Sequence, residues 1–105
     1  MNVFDKTFEE EILQSEKPVL IEFWASWCIP CKMMDYVLME LEEEYGDKVK
    51  IAKLNVDRNR KISAMYNLTG VPTFMTFKEG NPQETRIGAQ SKDDLIKMIE
   101  GVIND

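Results

Sequence analysis

Cys28 and Cys31 stand two residues apart in the stretch FWASWCIPCKMM, residues 23 to 34, and they are the only cysteines in the chain. Three chemistries compete for such a pair. A zinc site needs about four ligands, whereas this chain offers two cysteines and no histidine. Zinc would therefore require a second copy. A structural disulfide closing so small a ring constrains little of the unfolded chain, because the entropic benefit grows with loop length. A reversible dithiol requires only that the sulfurs approach. Residues three apart on a helix have Cβ atoms roughly 5 to 6 Å apart, near the disulfide range.

The surrounding pattern favours the third chemistry. An apolar run precedes the pair and a helical pattern follows it, which puts Cys28 at a helix start. Unpaired backbone N–H groups and the positive end of the helix dipole stabilise a thiolate there, and the thiolate is the species that attacks disulfides. Cys28 is the expected nucleophile and the more exposed thiol. Cys31, one turn further in, is the expected resolving thiol, which attacks the mixed disulfide. Pro30 suits a first helical turn, where its missing N–H costs nothing. Lys32 adds a nearby positive charge, although a solvated helix position explains it equally.

The elements that must hold this pair follow from the apolar periodicity. Asn2 to Phe4 reads as a short strand, and Thr7 with Glu10 forms a capping-box pattern ahead of a first helix with Phe8, Ile12 and Leu13 on its apolar face. PVLIEFWA, residues 18 to 25, is apolar on both alternating faces, as expected of a central strand covered on two sides. Only Glu22 interrupts it. From Cys28 a long helix carries Cys31, Met34, Leu38, Leu41 and Tyr45 until Gly46 ends it. KVKIAKLNV, residues 48 to 56, is a third strand, and Asp57 is placed to cap a short helix bearing Ile62, Met65 and Tyr66. Pro72 opens a strand to Phe77, and Glu79, Gly80 and Asn81 turn into a strand ending near Ile87. Ser91 with Asp94 starts a last helix packing Leu95, Met98, Ile99 and Val102. Strands alternating with helices, closed by a hairpin, predict an α/β sandwich with a mixed sheet of about five strands and helices on both faces.

Composition sets the outer bounds. A chain of 105 residues with 44% apolar content fits one domain with a real core. Two cysteines place it outside the disulfide-dense secreted scaffolds. No basic segment followed by a long apolar run opens the sequence, and no run is long enough for a membrane span, so a cytosolic, reducing setting is expected. The net charge of −6 argues against nucleic acid, whose binding rests on clustered Lys and Arg. The acidic runs at residues 9 to 11 and 42 to 44 read as solvated helix faces.

The chain resembles the thioredoxin family over essentially all of its 105 residues. FWASWCIPCK is similar to that family's strand, Trp-Cys-x-Pro-Cys-Lys turn and helix; KLNVD, residues 53 to 57, resembles its third strand and GVPTF, residues 70 to 74, its proline loop. The resemblance implies one thioredoxin domain over residues 1 to 105, with a five-stranded mixed sheet flanked by four helices. It implies a dithiol–disulfide oxidoreductase that reduces protein disulfides through Cys28 and Cys31 without a bound cofactor or metal. The implied partners are a thioredoxin reductase and disulfide-containing proteins, for a monomer that binds neither nucleic acid nor membrane. An isomerase or oxidase of the same fold, and a binding module with incidental cysteines, are the alternatives.

Positions carried over from the family are specific. Val71-Pro72 matches its cis-proline dipeptide, and Trp27, Ile29, Val71, Gly88 and Ala89 match the apolar docking surface around the first cysteine. For Trp27 and Val71 a core role is the plainer reading, and for Gly88 a turn. Trp24 is expected to pack under the active turn. Three departures matter. Ile29 stands where the family usually has Gly, which restricts the turn and enlarges the apolar surface. Glu22 replaces a buried family Asp that assists proton transfer at the second cysteine; its burial predicts a raised pKa, with a simple pairing to Lys53 as the alternative. Tyr36 replaces a helix-kinking proline, so a straighter helix is expected.

Overall fold

The computed structural model describes residues 1 to 104. Its centre is a mixed sheet of β1 (Val19–Trp24), β2 (Lys50–Asn55), β3 (Thr73–Lys78) and β4 (Asn81–Ile87), in the order β2-β1-β3-β4. Strand β1 runs parallel to β2 and antiparallel to β3, and β3 and β4 form the hairpin. Because β1 has a neighbour on each edge and cover on each face, its sequence is almost continuously apolar rather than alternating.

The two faces bury different sets. Val19, Ile21 and Phe23 point into a cluster with Val3, Phe8, Ile12, Ala52, Leu54, Ile62, Met75 and Phe77. A π-helical segment at Glu9–Leu13 and α3 (Arg60–Met65) supply its cover. Leu20 points the other way, into a cluster fed by α2 (Asp35–Tyr45) and α4 (Lys92–Ile103). Helix α4 contributes Leu95, Met98, Ile99 and Val102, the expected stripe, and each such side chain stabilises by roughly 1.5 to 3 kcal/mol on burial. Ser91 caps α4 as expected, accepting the Asp94 N–H at 3.0 Å.

Among the described residues four strands form, where about five were expected. Asn2 makes a single parallel bridge to Lys53, and the chain then turns away at Asp5. The Asp5 carboxylate accepts the N–H groups of Ile62 at 3.0 Å and Lys61 at 3.3 Å, so the N-terminus serves as a remote cap for α3. Asp57 is therefore not that cap; α3 starts after Asn59. Thr7 likewise forms no capping box. Its hydroxyl accepts the Phe4 N–H at 3.0 Å, and the helical segment begins after Phe8 without a side-chain cap.

The long helix is divided at Met34 into α1 (Ile29–Met33) and α2. No proline causes this. The Met34 N–H bonds to the Cys31 carbonyl three residues back at 3.1 Å, a tighter turn than the α-helix makes. The single helix expected from Cys28 to Gly46 is therefore two segments, with Tyr36 in the first turn of the second. The hairpin turn needs left-handed backbone at Glu79 (φ 51°) and Gly80 (φ 81°), the pattern that matches strand twist. A Cβ at Gly80 would also come within 2.8 Å of the Leu13 carbonyl oxygen.

Candidate active site

The site is built where β1 runs out. Ala25 is buried, the Cys28 N–H returns to the Ala25 carbonyl at 3.1 Å, and Cys28 becomes the N-cap of α1. Its sulfur accepts the Cys31 N–H at 3.2 Å, which satisfies one of the unpaired donors at the helix start. Pro30 occupies the first turn, as its missing donor allows. Cys28 and Cys31 form a disulfide with Cα atoms 5.3 Å apart, inside the usual range for such a bond.

In this oxidised form both cysteines are buried, Cys28 at 3% and Cys31 at 2% exposure. Ala25 is buried with the pair, and Trp24, Val56 and Val71 pack against this cluster. Trp24 lies against the pair as expected. What projects instead is the rim: Trp27 is 69% and Ile29 70% exposed. The Trp27 indole N–H donates to Asp57 at 2.8 Å, which fixes the ring's orientation and gives Asp57 its use.

The proline loop meets the same rim. The Val71–Pro72 bond is cis, Val71 touches the cysteine cluster and Pro72 is buried. The Gly88 N–H donates to the Pro72 carbonyl at 2.7 Å, which brings Gly88 and the exposed Ala89 to the loop. Gly88 adopts φ 95°, a conformation that side chains rarely take, so its turn requirement is real. A shallow groove lined by Trp27, Val56, Leu68, Gly70 and Val71 runs beside the pair.

On the face of β1 that also carries Trp24, Glu22 is fully buried, and neither carboxylate oxygen has a hydrogen-bond partner. Burial pushes its pKa up to about 7, an effect opposed by the positive charge of Lys53 and reinforced by the negative charge of Asp35. The alternative of a simple Glu22–Lys53 pair is not what forms. Lys53 is the residue opposite Glu22 in the β1–β2 register, yet its ammonium bonds to Asp35 at 2.6 Å and lies 4.8 Å from the Trp24 ring.

The structure thus gathers Cys28, Cys31, Pro30, Trp27, Ile29, Val71, Pro72, Gly88 and Ala89 around one mouth, with Glu22 and Lys53 on the sheet face below. Sequence reasoning missed Asp35 and gave Asp57 a capping role in place of its bond to Trp27. Asp35 follows Cys31 by one helical turn, a usable signal; Asp57 meets Trp27 across 30 residues, and nothing local announces that.

A Thioredoxin family model matches residues 1–101. The thioredoxin of Rickettsia bellii is 43% identical over 102 residues, covering 97% of both chains. The thioredoxin of Pseudomonas aeruginosa is 43% identical over 103 residues, 98% of this chain and 95% of its own. Thioredoxin 1 of Synechococcus elongatus is 41% identical over 98 residues, 93% of this chain and 92% of its own.

Proposed function

The chain belongs to the thioredoxin family and is a thiol–disulfide oxidoreductase, and on that premise we propose that it reduces disulfides in other proteins, with Cys28 as nucleophile and Cys31 as resolving thiol. The observation that carries this assignment is the Cys31 N–H donated to the Cys28 sulfur at 3.2 Å. A donor aimed at that atom favours the thiolate over the thiol.

The Cys28 thiolate attacks one sulfur of the substrate disulfide, forms a mixed disulfide and expels the other substrate sulfur as a thiolate. Cys31 then loses its proton, attacks the Cys28 sulfur and releases the second substrate thiolate. Two electrons pass to the substrate, and the Cys28–Cys31 disulfide remains. Glu22 is our choice for the acceptor of the Cys31 proton, because a carboxyl group with a pKa near 7 is matched to proton exchange near neutrality. Pro30 holds the turn that spaces the two sulfurs, and Lys53 tunes Glu22 through its charge. Trp27, Ile29, Val71, Pro72, Gly88 and Ala89 form the docking rim for an extended substrate segment, which would combine backbone pairing at Val71 with apolar contact.

The reading includes a single domain, a cytosolic setting and regeneration by a thioredoxin reductase. Trapping tests it. A Cys31→Ser variant in cell extract should accumulate mixed disulfides through Cys28, and a Cys28→Ser variant should not. Absence of adducts on Cys28, or retention of function when both cysteines are replaced, would overturn the enzymatic assignment in favour of a scaffold.

A further inference from the structure

Lys53 has two carboxylates within its reach and takes the one its own strand register does not favour. Its Cα lies opposite that of Glu22 in the parallel β1–β2 ladder, which roots both side chains on the same sheet face. Its ammonium nevertheless bonds to Asp35 at 2.6 Å, and both Glu22 oxygens are left without partners. Solvation explains the choice. The Asp35 side chain is half exposed, so the pair forms with little loss of water; moving the ammonium to fully buried Glu22 would strip its hydration.

We propose that Asp35 is a positioning residue: by holding Lys53 at the start of α2, it keeps that cation from pairing with Glu22 and thereby sets the charge state of the buried acid. This rests on the reading of Glu22 as the proton acceptor for Cys31. The location of Asp35 follows from the break at Met34, which makes Asp35 the first residue of α2. Asp35 acts on Glu22 in two ways with one sign. It withdraws the cation that would favour the carboxylate, and its own charge disfavours a second negative charge nearby. The charged groups acting on Glu22 are Lys53 from β2 and Asp35 from α2. Strand β3 places apolar Phe74 opposite it, β4 roots Arg86 on the same face beyond Phe74, where its guanidinium is paired with Glu84 and with Asp94 of α4, and Lys92 of α4 is paired with Glu40 and Glu44 of α2. A Glu22 paired with Lys53 would remain ionised at lower pH and be a weaker base for the thiol.

The test follows the Glu22 carboxyl in the oxidised protein, where the cysteines do not titrate, by carbon-13 NMR of glutamate-labelled wild type, Asp35→Asn, Asp35→Glu and Lys53→Met. Asp35→Asn keeps the side-chain volume at a half-exposed position and should lower the Glu22 midpoint by about one pH unit. Asp35→Glu should restore it. In the Lys53→Met background, Asp35→Asn should produce a smaller shift, since only the direct repulsion remains to be lost. An unmoved midpoint in Asp35→Asn, or an equal shift with and without Lys53, overturns the inference. The pH profile of mixed-disulfide resolution in single turnover separates the two readings. A profile that moves with the midpoint supports both. A moved carboxyl midpoint with an unmoved profile leaves Asp35 in control of Glu22 and removes Glu22 as the proton acceptor.

Discussion

The two faces of β1 are made from alternate residues of one six-residue strand and are built on different rules. Val19, Ile21 and Phe23 enter an apolar cluster against which Tyr66 packs, with the buried Thr73 hydroxyl nearby bonded to the Gly70 carbonyl. Leu20, Glu22 and Trp24, on the other face, begin in a comparable core and end against the cysteine cluster with buried polar atoms that lack partners, the Glu22 carboxylate and the Trp24 indole N–H. Leaving a buried polar group unsatisfied costs about 1 to 3 kcal/mol, more for a charge. The first face therefore supplies stability, and the second gives up some of it at the buried acid that we propose as the proton acceptor.

The comparison is broken most severely on its apolar side. Phe23→Ala should cost about 3 to 5 kcal/mol, read as a lower midpoint in denaturant unfolding with the slope unchanged. A cost near that of a surface substitution would mean that the first face does not hold the fold.

The next effect has the opposite direction and lies on the polar side. Glu22 has a folded pKa of about 7 against an ordinary value of 4.5. The raised value means that the neutral acid is favoured on folding: its contribution is fully present below about pH 4.5 and is lost as the pH rises through about 7. At about 1.4 kcal/mol per pH unit, that loss is roughly 3 kcal/mol. Glu22→Gln should therefore be more stable than wild type by up to that amount above the folded midpoint and comparable to it in acid, while resolving mixed disulfides more slowly. Unfolding curves and single-turnover reduction across pH would measure both. A stability difference independent of pH would show that Glu22 ionises as easily folded as unfolded.

Smaller effects sharpen the contrast at the rim and at the far face. Val71→Asp should weaken reduction of a protein disulfide by about tenfold, near 1.4 kcal/mol, with less effect on a small disulfide reagent. Equal losses on both substrates would remove the docking role. Asp5→Ala, which deletes the remote cap of α3 under the apolar face, should lower stability by about 1 kcal/mol and leave reduction unchanged. A loss of activity without loss of stability would tie α3 to the site instead.

Much of this was legible in the sequence because the signals are local. β1, β2 and β3 read as runs rich in apolar residues, the polar β4 is marked by the turn before it, α4 announces itself by Ser91, Asp94 and four apolar residues at helical spacing, and Cys28 and Cys31 share a helix turn by spacing alone. The burial of Glu22 follows from its place in PVLIEFWA. The misreadings share a cause. Thr7 and Asp57 carry good capping chemistry, but Thr7 turns back to Phe4 and Asp57 meets Trp27, while α3 is capped by Asp5 from more than fifty residues away.

The sequence by itself determined the order of elements, the sidedness of the central strand and the placement of two thiols at a helix start, since periodicity and spacing act within a few residues. Only the tertiary structure decided which carboxylate Lys53 would take. That choice depends on how much water each partner keeps: Asp35 stays half exposed at a helix start, and Glu22 is fully buried in the central strand. Desolvation is a property of the assembled surroundings, and no stretch of chain carries it alone.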